Sequence, residues 1–209
     1  MRKIIKKHCF IHRNLSHIYT LKISKYCDAI QLVQKEPHTT SKTIHSDLIL
    51  AQKCLYTPCN LLYTLVTAEP ESADYGAYTF QINRLRVQYR VAQITSKKTG
   101  QFVTLWKRSK EGPIQPFHIS DPVDLFIVNT KNTDHFGQFI FPKSVLYERG
   151  VLSDDFKEGK RALRIYPPWD NPTNNQARKT QQWQLKYFIE VRKNQPTDLQ
   201  LAKSLLQKD

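Results

Sequence analysis

Residues 78–94, YTFQINRLRVQYRVAQI, alternate between apolar and polar side chains almost without interruption. Period-two alternation places one set of side chains on each face of an extended strand, which a helix cannot do. Tyr78, Phe80 and Ile82 therefore share a face of one strand, and Leu85, Val87, Tyr89 and Val91 share a face of the next. Arg86, Gln88 and Arg90 fall on the opposite side and are expected to face outward. Whatever else this chain builds, it must build a sheet here.

More strands follow. The polar run TSKKTG (95–100) turns the chain into a third strand, GQFVTLWKR (100–108). DLFIVNT (124–130) is apolar enough for a central strand, HFGQFIFP (135–142) ends at Pro142, and RALRIYPPW (161–169) is halted by two prolines. Helical spacing appears on either side of this β-rich stretch. SDLILAQKCLYTPCNLLYTLV has an apolar stripe through Leu48, Leu55, Leu62 and Leu65, with Pro58 expected to kink or divide it. SVLYERGVL predicts a short helix stopped by Gly150. QARKTQQWQLKYFIEVRK (176–193) predicts a longer helix, capped by Asn or Thr, with Trp183, Leu185, Tyr187, Phe188 and Val191 toward the core. The pattern gives an α/β chain, a sheet with helices before and after it. Residues 41–195 are expected to form a single domain, with a basic extension at 1–40 and a detachable helical tail at 196–209. The extension fits a basic arm, a loosely packed helix or a start assigned too early.

Charge narrows the function. The chain has 32 Lys and Arg against 18 Asp and Glu, a formal +14. Residues 1–27 carry seven of these cations and residues 75–110 carry eight, neither block containing an acid. Such blocks favour polyanionic partners, nucleic acid first and anionic membrane second. Arg84, Arg86, Arg90, Lys97, Lys98, Lys107 and Arg108 are the candidate phosphate contacts, and Trp106 the candidate stacking surface. Cations beside flat rings suit single-stranded nucleic acid, because each base offers a π face.

Other chemistries are harder to place. Metal-assisted phosphodiester cleavage needs carboxylate ligands, and no Asp or Glu occurs between Asp74 and Glu111. The alternative of a divalent-metal nuclease would have to recruit Asp121, Asp124 or Asp170, although an acid before Pro122 commonly serves as a turn residue. His8, Cys9, His12 and His17 match no closed zinc pattern, and no nucleotide or hydrolase fingerprint is present. His118 and His135 could be general bases, without a recognisable nucleophile. No cofactor and no metal are expected. Cys9, Cys27, Cys54 and Cys59 have no framework spacing, no run of about 18 apolar residues exists, and the start lacks a secretory core. The expected location is the cytoplasm.

The blocks YGAYTFQIN, GQFVTLWKR, GPIQPF, DPVDLFIV, HFGQFIFPKSVL, KRALRIYPPWD and KTQQWQLKYF, in this order from about 45 to 193, resemble the MepB family of small bacterial proteins. The resemblance implies a fold like the PD-(D/E)xK nuclease core, a mixed sheet flanked by helices, without its catalytic acids. It also implies RNA or single-stranded DNA as the partner, and a link to drug or stress response. Lys107 would stand at the nuclease lysine position, with Leu105 where the acid would be.

Overall fold

The structure, a computed structural model, describes residues 44–108, 112–191 and 198–206. The basic block at 1–27 and the His8/Cys9/His12/His17 group lie outside the described residues. The described residues from Ile44 onward belong to one compact unit.

Helix α1 (Ser46–Ala51) continues into a π-helical turn at Gln52–Tyr56. Pro58 falls in the last turn, and the helix then stops. Asn60 adopts φ +56°, the Leu61 amide donates to the Tyr56 carbonyl at 3.0 Å, and the Asn60 amide donates to Thr57 at 3.0 Å. This paired reversal satisfies the last helical carbonyls and places Leu61 back on the core. The chain leaves it as strand β1 (Tyr63–Ala68). The single helix expected to run on to Leu65 is thus corrected to a helix and a strand, and Leu62 is 73 % exposed.

A 3₁₀ segment (Pro70–Tyr75) leads into β2 (Tyr78–Ile82) and β3 (Leu85–Val91). Farther along the chain, β8 (Leu125–Lys131), β9 (Phe136–Pro142) and β11 (Phe188–Glu190) join the same sheet. Its six strands lie in the order β1-β2-β3-β8-β9-β11. β3 and β8 run parallel, with Val87 opposite Leu125 and Val91 opposite Asn129. The other pairings are antiparallel, so the sheet is mixed, as expected.

Between β3 and β8 the chain leaves the main sheet. The expected third strand is two strands, broken at Leu105. β4 (Gln93–Ile94) and β5 (Gln101–Thr104) pair with β10 (Ala162–Ile165) in a three-stranded sheet. β6 (Trp106–Arg108) pairs only with β7 (Ile114–Pro116) in a separate ribbon. Gly100, at φ +87°, closes the β4–β5 turn, where a Cβ would lie 2.6 Å from the Tyr166 ring. Lys107 therefore does not sit on a strand of the main sheet.

Two apolar layers hold the sheet. One face packs Tyr78, Phe80, Val87, Tyr89, Ile127 and Ile140 against Leu48, Leu55 and Tyr56. The same layer takes in Ala202 and Leu206 of the last helix, α4 (Leu199–Leu206), both fully buried. The tail expected to be detachable is therefore a packed element. The other face sets Phe126, Val128, Phe139 and Phe141 against Leu146 of α2 (Lys143–Glu148) and the half-buried Trp183 of α3 (Asn175–Gln184). Gly150 ends α2 at φ +63°, and the Asn174 side chain caps α3 through the Ala177 amide at 2.7 Å. The last predicted helix is shorter than expected. It ends at Gln184, and Phe188–Glu190 return as the edge strand β11, accommodated because Gly137, which pairs with Glu190, leaves room for the Phe188 ring.

Leu206→Ala removes a fully buried side chain from α4 and should lower stability by about 2–3 kcal/mol, read as a shifted urea midpoint. A midpoint equal to that of the unsubstituted protein would mean that α4 contributes nothing to the core.

Candidate nucleic-acid interface

The outward face of β3 does not present a row of free cations. Asp124 immediately precedes the first residue of β8, and the parallel register sets it beside Arg86. Its carboxylate accepts from the Arg86 Nε at 3.0 Å, from Nη2 at 3.3 Å and from the backbone amide at 2.9 Å. This fork geometry strengthens the pair and raises the guanidinium pKa. Arg86 remains half-exposed.

Arg90 was expected to face solvent. It is completely buried. The chain bends at Ala92 into β4, and β5 then lies against β3, with Phe102 edge-on to Tyr75 of the 3₁₀ segment. Glu69, just before that segment, reaches in: its Oε2 lies 2.6 Å from Arg90 Nη2, and its Oε1 accepts from Gln88 Nε2 at 2.6 Å. Arg90 Nη1 donates to the Tyr89 carbonyl at 2.8 Å. Burial lowers the Arg90 pKa and Glu69 opposes the shift, as expected for a desolvated charge held by one partner. Arg90 is a structural residue and cannot touch a ligand.

The ribbon repeats the pattern. Lys107 pairs with Asp121, which also accepts from the His118 amide at 2.7 Å. Arg108 donates to Glu71 at 2.8 Å and to the Gly112 carbonyl at 3.2 Å, and its guanidinium lies 5.9 Å from the ring centre of the half-buried Trp106. The stretch without acids is thus matched by carboxylates from the segments flanking it, Glu69 and Glu71 before and Asp121 and Asp124 after. Arg84, beside Asn83 in the β2–β3 turn, and Lys97 and Lys98 in the β4–β5 turn are exposed. None of the three has a carboxylate partner among the described residues.

The acids of the nuclease alternative do not converge with others into a metal site. Among the described residues, no group of three or more His, Cys, Asp and Glu side chains could hold an ion. Asp121 and Asp124 are engaged as above. Burial pushes the Asp170 carboxyl up, partly offset by Arg164, which does not favour an anionic ligand there. His118 does have a hydroxyl nearby, Ser120 Oγ, 2.7 Å from Nδ1. The Ser120 amide also donates to Nδ1 at 3.2 Å, so the contact belongs to the turn, and Asp155 on the far nitrogen at 3.4 Å is almost fully exposed. His135 stacks on Trp169 with centroids 5.0 Å apart and meets Glu190 Oε1 at 2.9 Å.

A different surface joins cations and an aromatic ring. Arg149, at the end of α2, places its guanidinium 5.2 Å from the ring centre of Trp183 on α3. The groove beside them, about 400 Å³, is lined by Arg149, Asn175, Gln176, Lys179, Thr180 and Trp183. The sequence reading treated Trp183 as core and missed Arg149. The four-residue spacing of Lys179 and Trp183 was the available signal; the contact across to α2 has no local signature.

Comparison with known proteins places this geometry. The profile of the MepB-like family matches residues 69–190. The chain belongs to that family. A solved structure, the crystal structure of MepB, aligns with a TM-score of 0.61 and 32 % identity, covering 72 % of this chain and 99 % of MepB. No curated protein matches. The MepB-like region thus includes both the β3 face with its ion pairs and the α2–α3 groove. Among the described residues, no helix is long and apolar enough to cross a membrane.

In this MepB-like chain the buried and exposed arginines should respond differently. Glu69→Ala strands a buried guanidinium and should cost about 3–5 kcal/mol in urea unfolding, whereas Arg86→Ala, at a half-exposed pair, should cost about 1 kcal/mol or less. Equal losses would show that Arg90 is not the structural cation described.

Proposed function

We propose that the chain binds nucleic acid, with RNA or single-stranded DNA preferred over duplex DNA, and does not hydrolyse it by metal-assisted chemistry. What carries this reading is the set of cations left over when the ion pairs are discounted. Several positive charges in a chain of +14, Arg84, Lys97, Lys98, Arg149 and Lys179 among them, have no carboxylate ion pair among the described residues. Cations of this kind can neutralise phosphates without first giving up an acid. The paired ones cannot. Asp121 and Asp124 hold Lys107 and Arg86 in place, a role that competes with holding a divalent ion. Free Cys54 and Cys59 fit the reducing cytoplasm proposed for the chain.

The test is a filter-binding titration on labelled single- and double-stranded RNA and DNA at two salt concentrations. Combined Arg84→Ala, Lys97→Ala and Lys98→Ala should weaken binding and flatten its salt dependence, by about 0.7 in log–log slope for each phosphate left without its cation. Arg86→Ala should change both only slightly. Failure of the unsubstituted protein to retain any single strand at low salt would end this reading.

Incubation of the same strands with Mg²⁺ or Mn²⁺ should leave them intact. Cleavage that disappears in Asp121→Asn or Asp124→Asn would establish the nuclease instead.

A further inference from the structure

We propose that the groove between α2 and α3 is a nucleotide subsite, in which the Arg149–Trp183 stack receives a base and Arg149 and Lys179 hold the adjoining phosphate. The proposal rests on the nucleic-acid reading and gives it a location that the charge pattern along the chain does not.

The site is built from three local features. Gly150 stops α2 in the left-handed region, with its amide on the Tyr147 carbonyl at 2.8 Å and the Val151 amide on Leu146 at 2.9 Å. That reversal leaves Arg149 exposed at the helix end. On α3, Asn175 and Gln176, then Lys179 and Thr180, then Trp183 recur at three- and four-residue spacing, so they line one side of the helix. Finally, the Trp183 indole packs on Phe141 of β9, centroids 5.4 Å apart, so the ring is anchored in the core. Arg149 lies over it at 5.2 Å. A guanidinium held over an indole by cation–π attraction keeps its N–H edges available to a phosphate, and its own flat face can continue a stack.

Charge separates this groove from the other two grooves near the basic surface. The cleft of about 390 Å³ around His118 and Arg161 is lined by Asp154, Asp155 and Glu158 as well as by Lys107 and Lys157. The groove of about 360 Å³ over β2 and β3 contains Asp121 beside Lys107 and Arg86. The lining of the α2–α3 groove has two cations, two amides and an aromatic ring but no carboxylate; Glu148 precedes Arg149 without lining it. Its volume is within the range of small-ligand sites. Amide side chains at Asn175 and Gln176 can donate to and accept from base edges. Cation, ring and amide together are the chemistry of a nucleotide.

The experiment uses the full chain, a fluorescein-labelled oligouridylate and anisotropy across a salt series. Arg149→Ala with Lys179→Ala should raise Kd at least tenfold and reduce the salt slope by about 0.7, as expected for the one single-strand phosphate they share. Trp183→Leu should weaken binding about tenfold with an unchanged slope, since it removes stacking and no charge. Because Trp183 also packs on Phe141, Trp183→Phe serves as the conservative partner, its fold checked by urea unfolding, and it should recover part of the affinity. If the Arg149/Lys179 variant binds like the unsubstituted protein while the Arg84/Lys97/Lys98 variant does not, the groove is wrong and the nucleic-acid reading stands. If no variant and no unsubstituted protein binds at low salt, both fall.

Discussion

Val87 lies opposite Leu125 and Val91 opposite Asn129, so β8 runs parallel to β3 and has to be reached by a crossover over the sheet face. In most α/β proteins a helix makes that crossover. Here residues 92–124 supply β4, β5, β6 and β7 instead, and this segment contains much of the basic block. The consequence is electrostatic. A crossover that returns to the start of β8 brings Asp124 back to the strand it left, beside Arg86, and sets Asp121 beside Lys107 of the ribbon. The parallel register and the charge pairing are therefore linked. Moving β8 by one residue would turn Asp124 away from Arg86 and invert both faces of a strand buried on each side.

The same crossover explains why the sheet tolerates polar groups in its interior. Gln88 and Arg90 lie under the small sheet, where Gln88 donates to one oxygen of Glu69 and Arg90 forms an ion pair with the other. On the opposite face, the Tyr56 hydroxyl meets Gln138 Oε1 at 3.1 Å, Gln138 donates to Asn129 at 2.6 Å, and Asn129 donates to the Asp47 carbonyl at 3.2 Å. Lys131 closes the chain on the Asp47 carboxylate at 2.8 Å. Removing one member of such a network leaves a desolvated partner, which costs more than the hydrogen bond itself contributed. These groups tie α1 to β8 and β9 in a single register, something aliphatic packing alone does weakly.

The alternation of 78–91 was legible because a strand with two unlike faces declares its period, and Gly150 was legible because a helix stop needs φ > 0. Residues 61–68 and 188–190 were misread for a related reason. Their apolar residues follow helices closely, and a short apolar run does not distinguish a buried strand from another helical turn. Asn60 was the missed sign: it occupies the left-handed position that ends the first helix. Arg90 defeated the sequence reading more deeply. Its spacing puts it on the outward face, and that is where it points, but outward from a strand is not outward from a protein. Glu69 and the returning β5 are distant in sequence, and nothing near Arg90 announces them. Arg149 and Trp183 meet across two helices for the same reason. Local pattern specifies the face of an element, while long-range topology decides what covers it.

The distinction between paired and unpaired cations also bears on affinity. When a phosphate approaches Arg86, the gain is an exchange: one charge-assisted bond to Asp124 is replaced by another to the ligand. The displaced carboxylate then sits beside the phosphate and repels it. At an unpartnered lysine or arginine the phosphate displaces water and mobile counterions, and the release of counterions drives association in dilute salt. A count of positive residues along the sequence weights both kinds equally. Tertiary structure does not, and under the proposed function it shifts the expected binding surface away from the strands of the basic block. The shift is toward the turns between those strands and toward a groove on two helices outside the block.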